Sequence, residues 1–140
     1  MRVNYFCEDV EFQIINEQSL SQWVLRVIQM HSFELDEINY IFCSDEYLLK
    51  INKEHLNHDY YTDIITFDNS EKEKVIESDI FISIDRVKEN ADSQTGSFDK
   101  ELHRVMIHGV LHLVGFSDKT SSDQKLMREK EDACLSLLKI

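Results

Sequence analysis

Two histidines, a glycine and an aspartate near the end of the sequence have the types and the spacing of a metal site. His108 and His112 stand four positions apart, which puts both imidazoles on one face of a helix. Gly115 follows where such a helix would end, and a glycine there can reverse the chain toward Asp118. Two imidazoles and one carboxylate leave the fourth position of a tetrahedral zinc ion open, as catalytic zinc sites require. The pattern therefore predicts one Zn²⁺ ion per chain, bound by His108, His112 and Asp118.

The same spacing matches the metzincin protease pattern His-Glu-x-x-His-x-x-Gly-x-x-His, with one omission. The general-base glutamate of those proteases is replaced here by Gly109, so peptide hydrolysis loses its proton shuttle. A metal-bound water can still become nucleophilic near neutral pH, and the catalytic protein group stays unknown. Glu101 lies seven residues before His108 on the same helix face, and it is a candidate proton acceptor or partner of a ligand. The alternative for Glu101 is an exposed charge near a helix start.

Length and composition predict one domain over residues 1–140, since the chain is 42% hydrophobic and contains no proline. The first residues lack the apolar stretch of a signal peptide, and no segment approaches the roughly 20 apolar residues of a membrane span. We therefore expect a cytoplasmic protein without a membrane partner. Cys7, Cys43 and Cys134 are far apart and odd in number. They are interpreted as reduced core cysteines without a disulfide partner.

The formal net charge of −12 argues against nucleic acid as a partner, because nucleic-acid-binding proteins usually carry a basic face. A local basic groove can nevertheless exist on an acidic protein. Its candidate members are Lys50, Lys53, Arg86, Lys88, Arg104 and Lys119. The alternative for each of them is a solvated surface charge.

Hydrophobic periodicity predicts an α/β fold of the α+β type, with one mixed, mostly parallel sheet of about four to five strands packed with helices. The strand segments are residues 3–6, 12–15, 38–42, 62–67 and 79–84. The last is expected to be central because it is almost continuously apolar. Helices are expected over 20–31, 45–55, 85–94, 97–114 and from 121 onward, with Ser19, Ser44, Ser97 and Ser121 as N-terminal caps. His103 would lie off the ligand face, in solvent.

Four segments stand in an order that carries a resemblance to a known family. They are Ile51-Asn52, Thr62-Asp63-Ile-Ile-Thr-Phe67, Asp79-Ile-Phe-Ile-Ser83 and His108-Gly-x-Leu-His112-Leu-x-Gly115. The last resembles the signature of the YbeY family of bacterial metal-dependent endoribonucleases, and the two middle segments are similar to that family's strands. The resemblance covers roughly residues 47–120. It implies a zincin-like metal helix, single-stranded ribosomal RNA as substrate, and a role in maturing the 3′ end of small-subunit (16S) ribosomal RNA and in ribosome quality control.

The resemblance has two departures. The third ligand of the family is usually histidine, whereas this chain has Asp118, whose negative charge should leave the bound water less acidified. Many members have an arginine where this chain has Leu56, and Lys50 or Lys53 is a candidate substitute. The predicted substrate groove is formed by Lys50, Lys53, Thr62, Asp63 and Arg86. For Thr62 and Asp63 the alternative is a turn that begins a strand.

Two other functions stay open at this point. One is a metallopeptidase-like hydrolase, against which Gly109 argues. The other is a non-catalytic ribosome-assembly factor with a structural metal, which Asp118 and Leu56 leave open. Aromatic side chains such as Tyr60, Tyr61 or Phe67 would support single-stranded RNA as the substrate, because unpaired bases stack on aromatic rings.

Overall fold

Four strands form one mixed sheet in the computed structural model, which describes residues 2–94 and 96–140. The strands are β1 (Val3–Cys7), β2 (Glu34–Cys43), β3 (Ile64–Asp68) and β4 (Val75–Ser83). Their spatial order is β1-β2-β4-β3. The β1–β2 and β2–β4 pairs are parallel, whereas β3 is antiparallel to β4. The predicted mixed, mostly parallel sheet is confirmed, and so is the inner position of the strand at 79–84.

Five helices accompany this sheet in the described part of the chain. They are α1 (Glu17–Met30), α2 (Asp45–Leu56), α3 (Ile84–Ser93), α4 (Phe98–Leu113) and α5 (Ser121–Leu135). Ser44 accepts a hydrogen bond from the Tyr47 amide, and Ser97 accepts one from the Lys100 amide. Both serines therefore cap their helices as predicted, since each satisfies an amide that the helix leaves free. No helix among the described residues is long and apolar enough to cross a membrane.

The core lies mainly between the sheet and helices α1 and α4, and α5 extends it by packing on α4. Ile38, Tyr40 and Phe42 alternate along β2 and are at most 1% exposed. Tyr40 donates a hydrogen bond to the Met106 carbonyl of α4 at 3.0 Å, so its hydroxyl is satisfied inside the core. A smaller apolar cluster of Cys43, Leu48 and Ile65 holds α2 to the sheet.

Gly109 lets α4 approach the sheet closely. A Cβ atom at this position would stand 3.0 Å from Ile64 Cδ1 and from Thr66 Oγ1, and 3.3 Å from Ile80 Cδ1. The glycine therefore faces β3 and β4 and allows the histidine-bearing helix to lie against the edge strand.

Two features near the start of the chain differ from the predictions. Residues 12–15 form no strand; Phe12 packs edge-on against Phe42 and Phe98, so its apolar character reflects packing of an irregular segment. The Ser19 cap is also wrong. Helix α1 begins at Glu17 after Asn16, whose positive φ of 62° turns the chain and whose carbonyl accepts from the Leu20 amide.

Three smaller predictions are also wrong. Thr120, not Ser121, caps α5, because its side chain accepts a hydrogen bond from the Asp123 amide. Cys7 is exposed, while Cys43 and Cys134 are buried as expected, and all three are free thiols. His103 is 8% exposed and lies edge-on to Trp23, because the face of α4 opposite the sheet is covered by other helices.

Candidate functional site

The chain reverses direction directly after α4 and runs back toward the last turn of that helix. The Phe116 amide donates to the Leu111 carbonyl at 3.0 Å, and the Gly115 amide donates to the His112 carbonyl at 3.1 Å. This pair of bonds is a Schellman motif, and it requires a positive φ, here 111°, at Gly115. The predicted glycine reversal is confirmed, and it carries Asp118 back to the two histidines.

Three donor atoms converge at this end of the helix. Nε2 of His108 and Nε2 of His112 are 3.0 Å apart. Asp118 Oδ2 lies 3.4 Å from the first nitrogen and 3.3 Å from the second. With bonds of roughly 2.0–2.1 Å, ligand atoms around a tetrahedral zinc stand about 3.3–3.4 Å apart. The three residues are therefore spaced so that they could hold one such ion from one side.

A buried carboxylate lies behind His108. Glu131 of α5 has a side chain only 6% exposed, and its Oε2 is 2.6 Å from His108 Nδ1. Its other oxygen accepts a hydrogen bond from Arg104 Nη1 at 3.0 Å. Arg104 Nη2 donates a second hydrogen bond, to Asp132 Oδ1 at 2.7 Å. The site is therefore built from α4, the turn after it, and α5.

Charges around this cluster shift several pKa values. Burial acts to lower the pKa of His108, but the hydrogen bond and charge of Glu131, with smaller contributions from Asp63 and Asp118, raise it overall. Burial acts to raise the pKa of Glu131, but His108 and Arg104 lower it overall. Glu131 is therefore an ionised acceptor at neutral pH. The site as a whole favours a cation between its converging acceptors.

A groove of about 500 Å³ opens in front of the two histidines. It is lined by residues from the end of α2, the segment before β3, β3 itself, α4 and the turn after it. They are Asn52, Leu56, His58, Tyr60, Thr62, Asp63, Ile64, Ile65, Thr66, Asp68, His108, His112, Leu113 and Asp118. The structure thus brings Thr62 and Asp63 together with all three predicted metal ligands.

Asp63 is the half-buried acid in this groove. Its carbonyl accepts a hydrogen bond from the Ser83 amide at 2.9 Å, which fixes the chain just before β3. Burial raises the pKa of the Asp63 carboxyl, although the nearby His108 counteracts part of that shift. A carboxyl that holds a proton more readily than usual therefore stands beside the predicted metal position.

The predicted cations do not line the groove. Lys53 forms an ion pair with Asp59 at 3.3 Å, and Arg86 forms one with Asp45 at 2.9 Å. Arg104 lies beneath the site against Glu131. Lys50, Lys88 and Lys119 are exposed and are also absent from the groove wall. Lys53 and Arg86 are thus paired with acidic neighbours outside the groove wall. The RNA contacts of all six side chains stay a prediction.

Other predicted residues divide between the groove and its surroundings. Tyr60 and Leu56 lie in the groove wall and are 56% and 42% exposed, whereas Tyr61 and Phe67 lie outside the wall. The carbonyl of Tyr60 accepts a hydrogen bond from Asn52 Nδ2 at 2.9 Å, which ties this segment to α2.

Glu101 lies in a separate small cavity with Arg104, not in the metal groove. Glu131 occupies the place behind His108 for which the sequence made Glu101 a candidate. One signal in the sequence could have found it. Glu131 lies four residues after buried Met127 and three before buried Cys134, so it is an acid on the apolar stripe of its helix.

Comparisons with known proteins agree with this geometry. The family model described as Endoribonuclease YbeY matches residues 4–139. A Cytophaga hutchinsonii protein named Endoribonuclease YbeY is 53% identical over 96% of this chain and 94% of its own length. A Parabacteroides distasonis protein of the same name is 43% identical over 99% of this chain and 96% of its own length.

A solved structure is also similar to this chain. The solution structure of TM1509 from Thermotoga maritima has a TM-score of 0.66 and 26% identity, covering 96% of this chain and 87% of that one. The match of the family model and the near full-length relatives together leave one conclusion. The chain belongs to the endoribonuclease YbeY family, a family of nuclease hydrolases.

Proposed function

We propose that this protein is a zinc-dependent, single-strand-specific endoribonuclease of the cytoplasm. Its substrate is small-subunit (16S) ribosomal RNA, whose 3′ end it matures, and it takes part in ribosome quality control at the small subunit. The observation that supports this most directly is the convergence of His108, His112 and Asp118 within 3.0–3.4 Å on the wall of an open groove.

The three ligand atoms are arranged to bind a single zinc ion and not merely to share a proton. Two imidazole nitrogens and one carboxylate oxygen direct lone pairs toward a common point, and such acceptors repel one another without a cation between them. A zinc ion bound there supplies Lewis acidity to a phosphoryl oxygen and lowers the pKa of water. His112 and Asp118 have side chains 32% and 42% exposed, so the fourth position is accessible to a substrate. That openness favours a catalytic metal over a structural one.

The groove suits a single strand of nucleic acid. Tyr60 offers an exposed ring in the groove wall, and His58 stacks on it with ring centroids 5.2 Å apart. Unpaired bases stack on such rings in a manner that tolerates different sequences. A duplex keeps its bases stacked on one another, so it cannot use this surface in the same way.

Asp63 is the chain's own group for moving a proton in this groove. Its carboxyl stands beside His108 and has a raised pKa because it is half-buried. A general base is most useful when its pKa is close to the working pH. We assign to Asp63 the role of taking a proton from the attacking nucleophile, a role for which the sequence offered Glu101 as a candidate.

Peptide hydrolysis is disfavoured by the packing of Gly109. This position faces Ile64 and Thr66 of β3, where even a Cβ atom is crowded. A glutamate at this position therefore could not take the place of the protease base without moving α4.

One experiment tests the proposal against both alternatives. The purified protein is analysed for metal content and then incubated with single-stranded and duplex RNA, and with casein, beside a His112→Ala variant. We expect one zinc per chain and cleavage of single-stranded RNA that is lost in the variant. Zinc binding without RNA cleavage would favour a ribosome-assembly factor with a structural metal, and casein cleavage would favour a peptidase.

A further inference from the structure

We infer that Glu131, held by Arg104, is a positioning residue that presents His108 to the metal. The inference rests on the proposed function, because it assumes that His108 is a metal ligand. It assigns to the last helix of the fold a role in metal affinity. It comes from hydrogen-bond geometry in the described residues, not from the sequence pattern.

Each oxygen of Glu131 has its own partner. Oε2 meets His108 Nδ1 at 2.6 Å, and Oε1 meets Arg104 Nη1 at 3.0 Å. The side chains of Glu131 and Arg104 are only 6% and 12% exposed, so water competes little for either bond. Arg104 is fixed in turn by Asp132 Oδ1 at 2.7 Å. The carboxylate therefore cannot rotate away from His108 without breaking a buried, charge-assisted bond.

This arrangement selects one tautomer of His108. A guanidinium can only donate hydrogen bonds, so the carboxylate that it holds is an acceptor on both oxygens. Nδ1 of His108 must then carry the proton and donate it to Glu131. The other ring nitrogen, Nε2, keeps its lone pair and points toward His112 and Asp118. The opposite tautomer would place a lone pair against the carboxylate and an N–H against the metal position.

A consequence follows for α5. Glu131 lies on α5 between buried Met127 and Cys134, and the carbonyl of Cys134 accepts a hydrogen bond from Trp23 Nε1 at 2.8 Å. Binding of metal at the end of α4 is therefore coupled to the docking of α5. If docking of α5 raises the affinity for metal, then metal binding must stabilise docked α5 by the same factor. Metal should therefore slow the hydrogen exchange of α5 amides.

The first test needs no variant. The nitrogen chemical shifts of the histidine rings are measured in the metal-free wild-type protein, at a pH where His108 is neutral. We expect His108 to carry its proton on Nδ1. A proton on Nε2 would overturn the inference, whether or not any variant folds.

The second test compares Glu131→Gln with Asp132→Asn. Both variants remove one carboxylate bonded to Arg104, but only Glu131 contacts His108. Zinc affinity is measured by competition with a chelator, and the fold is checked by thermal unfolding. We expect Glu131→Gln to bind zinc about 10–100-fold more weakly, the usual effect of losing such a partner. Asp132→Asn should bind zinc nearly as tightly as wild type.

The outcomes separate this inference from the proposed function. Equal zinc affinity in wild type and Glu131→Gln would overturn the inference and leave the proposed function intact. Equal losses in both variants would also overturn it, because the effect would then belong to Arg104 and not to the contact with His108. A wild-type protein that bound no zinc would overturn the proposed function, and the inference with it.

Discussion

Two polar clusters of this protein contain carboxylates, but they differ in whether the chain itself supplies those carboxylates with hydrogen-bond donors. The first, which we call the strand-end corner, lies where β2 and β4 end, and consists of Asp9, Ser44, Asp45, Ser83 and Arg86. Asp45 accepts hydrogen bonds from Ser83 Oγ at 2.7 Å and from Arg86 Nη2 at 2.9 Å. Asp9 accepts from both the amide and the hydroxyl of Ser44. Every carboxylate of this corner thus meets a donor from the chain itself.

The metal cluster of His108, His112 and Asp118 differs in what its atoms face. Its Nε2 and Oδ2 atoms point at one another, and no lysine or arginine among the described residues lies in the surrounding groove wall. Within the described part of the chain, His108 is the one member of this cluster with a buried carboxylate partner behind it, Glu131. Acidic residues are therefore not a sign of function by themselves in this chain. What distinguishes the site is a set of acceptors that the protein holds together and does not neutralise.

Removing one acceptor should have the largest effect. His112→Ala leaves two protein ligands, so zinc affinity should fall by more than the roughly 10–100-fold expected for a partner behind a ligand. RNA cleavage should be lost, while the fold survives because His112 lies at the surface end of α4. Metal content and thermal unfolding measure the two effects. His58→Ala, another histidine in the groove wall, serves as the control and should keep its zinc.

The substitution Asp63→Asn tests whether Asp63, beside the metal cluster, transfers a proton in the reaction. Asp63→Asn keeps the shape of the side chain but cannot accept a proton, so we expect kcat to fall by about 10²-fold or more. Zinc content should not change, because Asp63 is not one of the three converging ligands. Steady-state kinetics with a single-stranded RNA, beside metal analysis, provide the measurement. Wild-type kcat in this variant would remove Asp63 from the mechanism.

Substitutions in the strand-end corner should change the stability of the fold and leave zinc affinity unchanged. Burial acts to raise the pKa of Asp45, but the hydrogen bonds from Arg86 and Ser83 and the charge of Arg86 lower it overall. A carboxyl with a lowered pKa stabilises the fold above its unfolded pKa of about 3.9, and this contribution is lost as the pH falls through the folded value.

Asp45→Asn should therefore be destabilised by about 1 kcal/mol at neutral pH, relative to wild type. The difference should begin to shrink as the pH falls below the unfolded pKa of about 3.9, and it should be lost once the pH falls below the lower pKa of folded wild-type Asp45. Thermal unfolding over a pH series gives the comparison, and zinc affinity should be that of wild type throughout. A constant difference down to low pH would show that the ion pair is not its cause.

Asp118→His sharpens the account of the third ligand. It replaces an anionic ligand by a neutral one, so metal binding should persist and the rising limb of the pH–rate profile should move to lower pH. Asp118→Ala is the control, and it should bind metal more weakly. An unchanged profile, in an assay limited by chemistry, would contradict the role given to the charge of Asp118.

The sequence predicted the fold and the converging residues because both depend on local rules. Alternation along β2, the caps Ser44 and Ser97, and the reversal at Gly115 each follow from a few neighbouring residues. The start of α1 was missed because it depends on the left-handed turn at Asn16, a residue without a side-chain cap.

The partners of the site were less accessible to sequence reasoning. Glu131 meets His108 because α5 packs across α4. Its place on the apolar stripe of α5 marks it as a buried acid, but that spacing does not identify His108 as its partner. The predicted basic groove failed to form in the wall for a related reason. Whether Lys53 faces a phosphate or Asp59 is decided by the path of the loop between them, and a charge count does not describe that path.

The smallest expected effect concerns salt, and it compares the groove with the surface around it. The affinity for single-stranded RNA should fall with salt by a slope of about −0.7 for each neutralised phosphate. The sequence predicts two to four such contacts, and the groove wall contains no lysine or arginine among the described residues. We therefore expect a slope near the lower end, about −1.4.

The substitutions Lys50→Ala and Lys53→Ala should each reduce the magnitude of this slope by at most about 0.7, while Arg26→Ala, on α1, should leave it unchanged. Binding across a salt titration measures these slopes. Affinity that is absent at low salt, or indifferent to salt, would argue against the nuclease and leave a structural metal as the better explanation of the converging ligands.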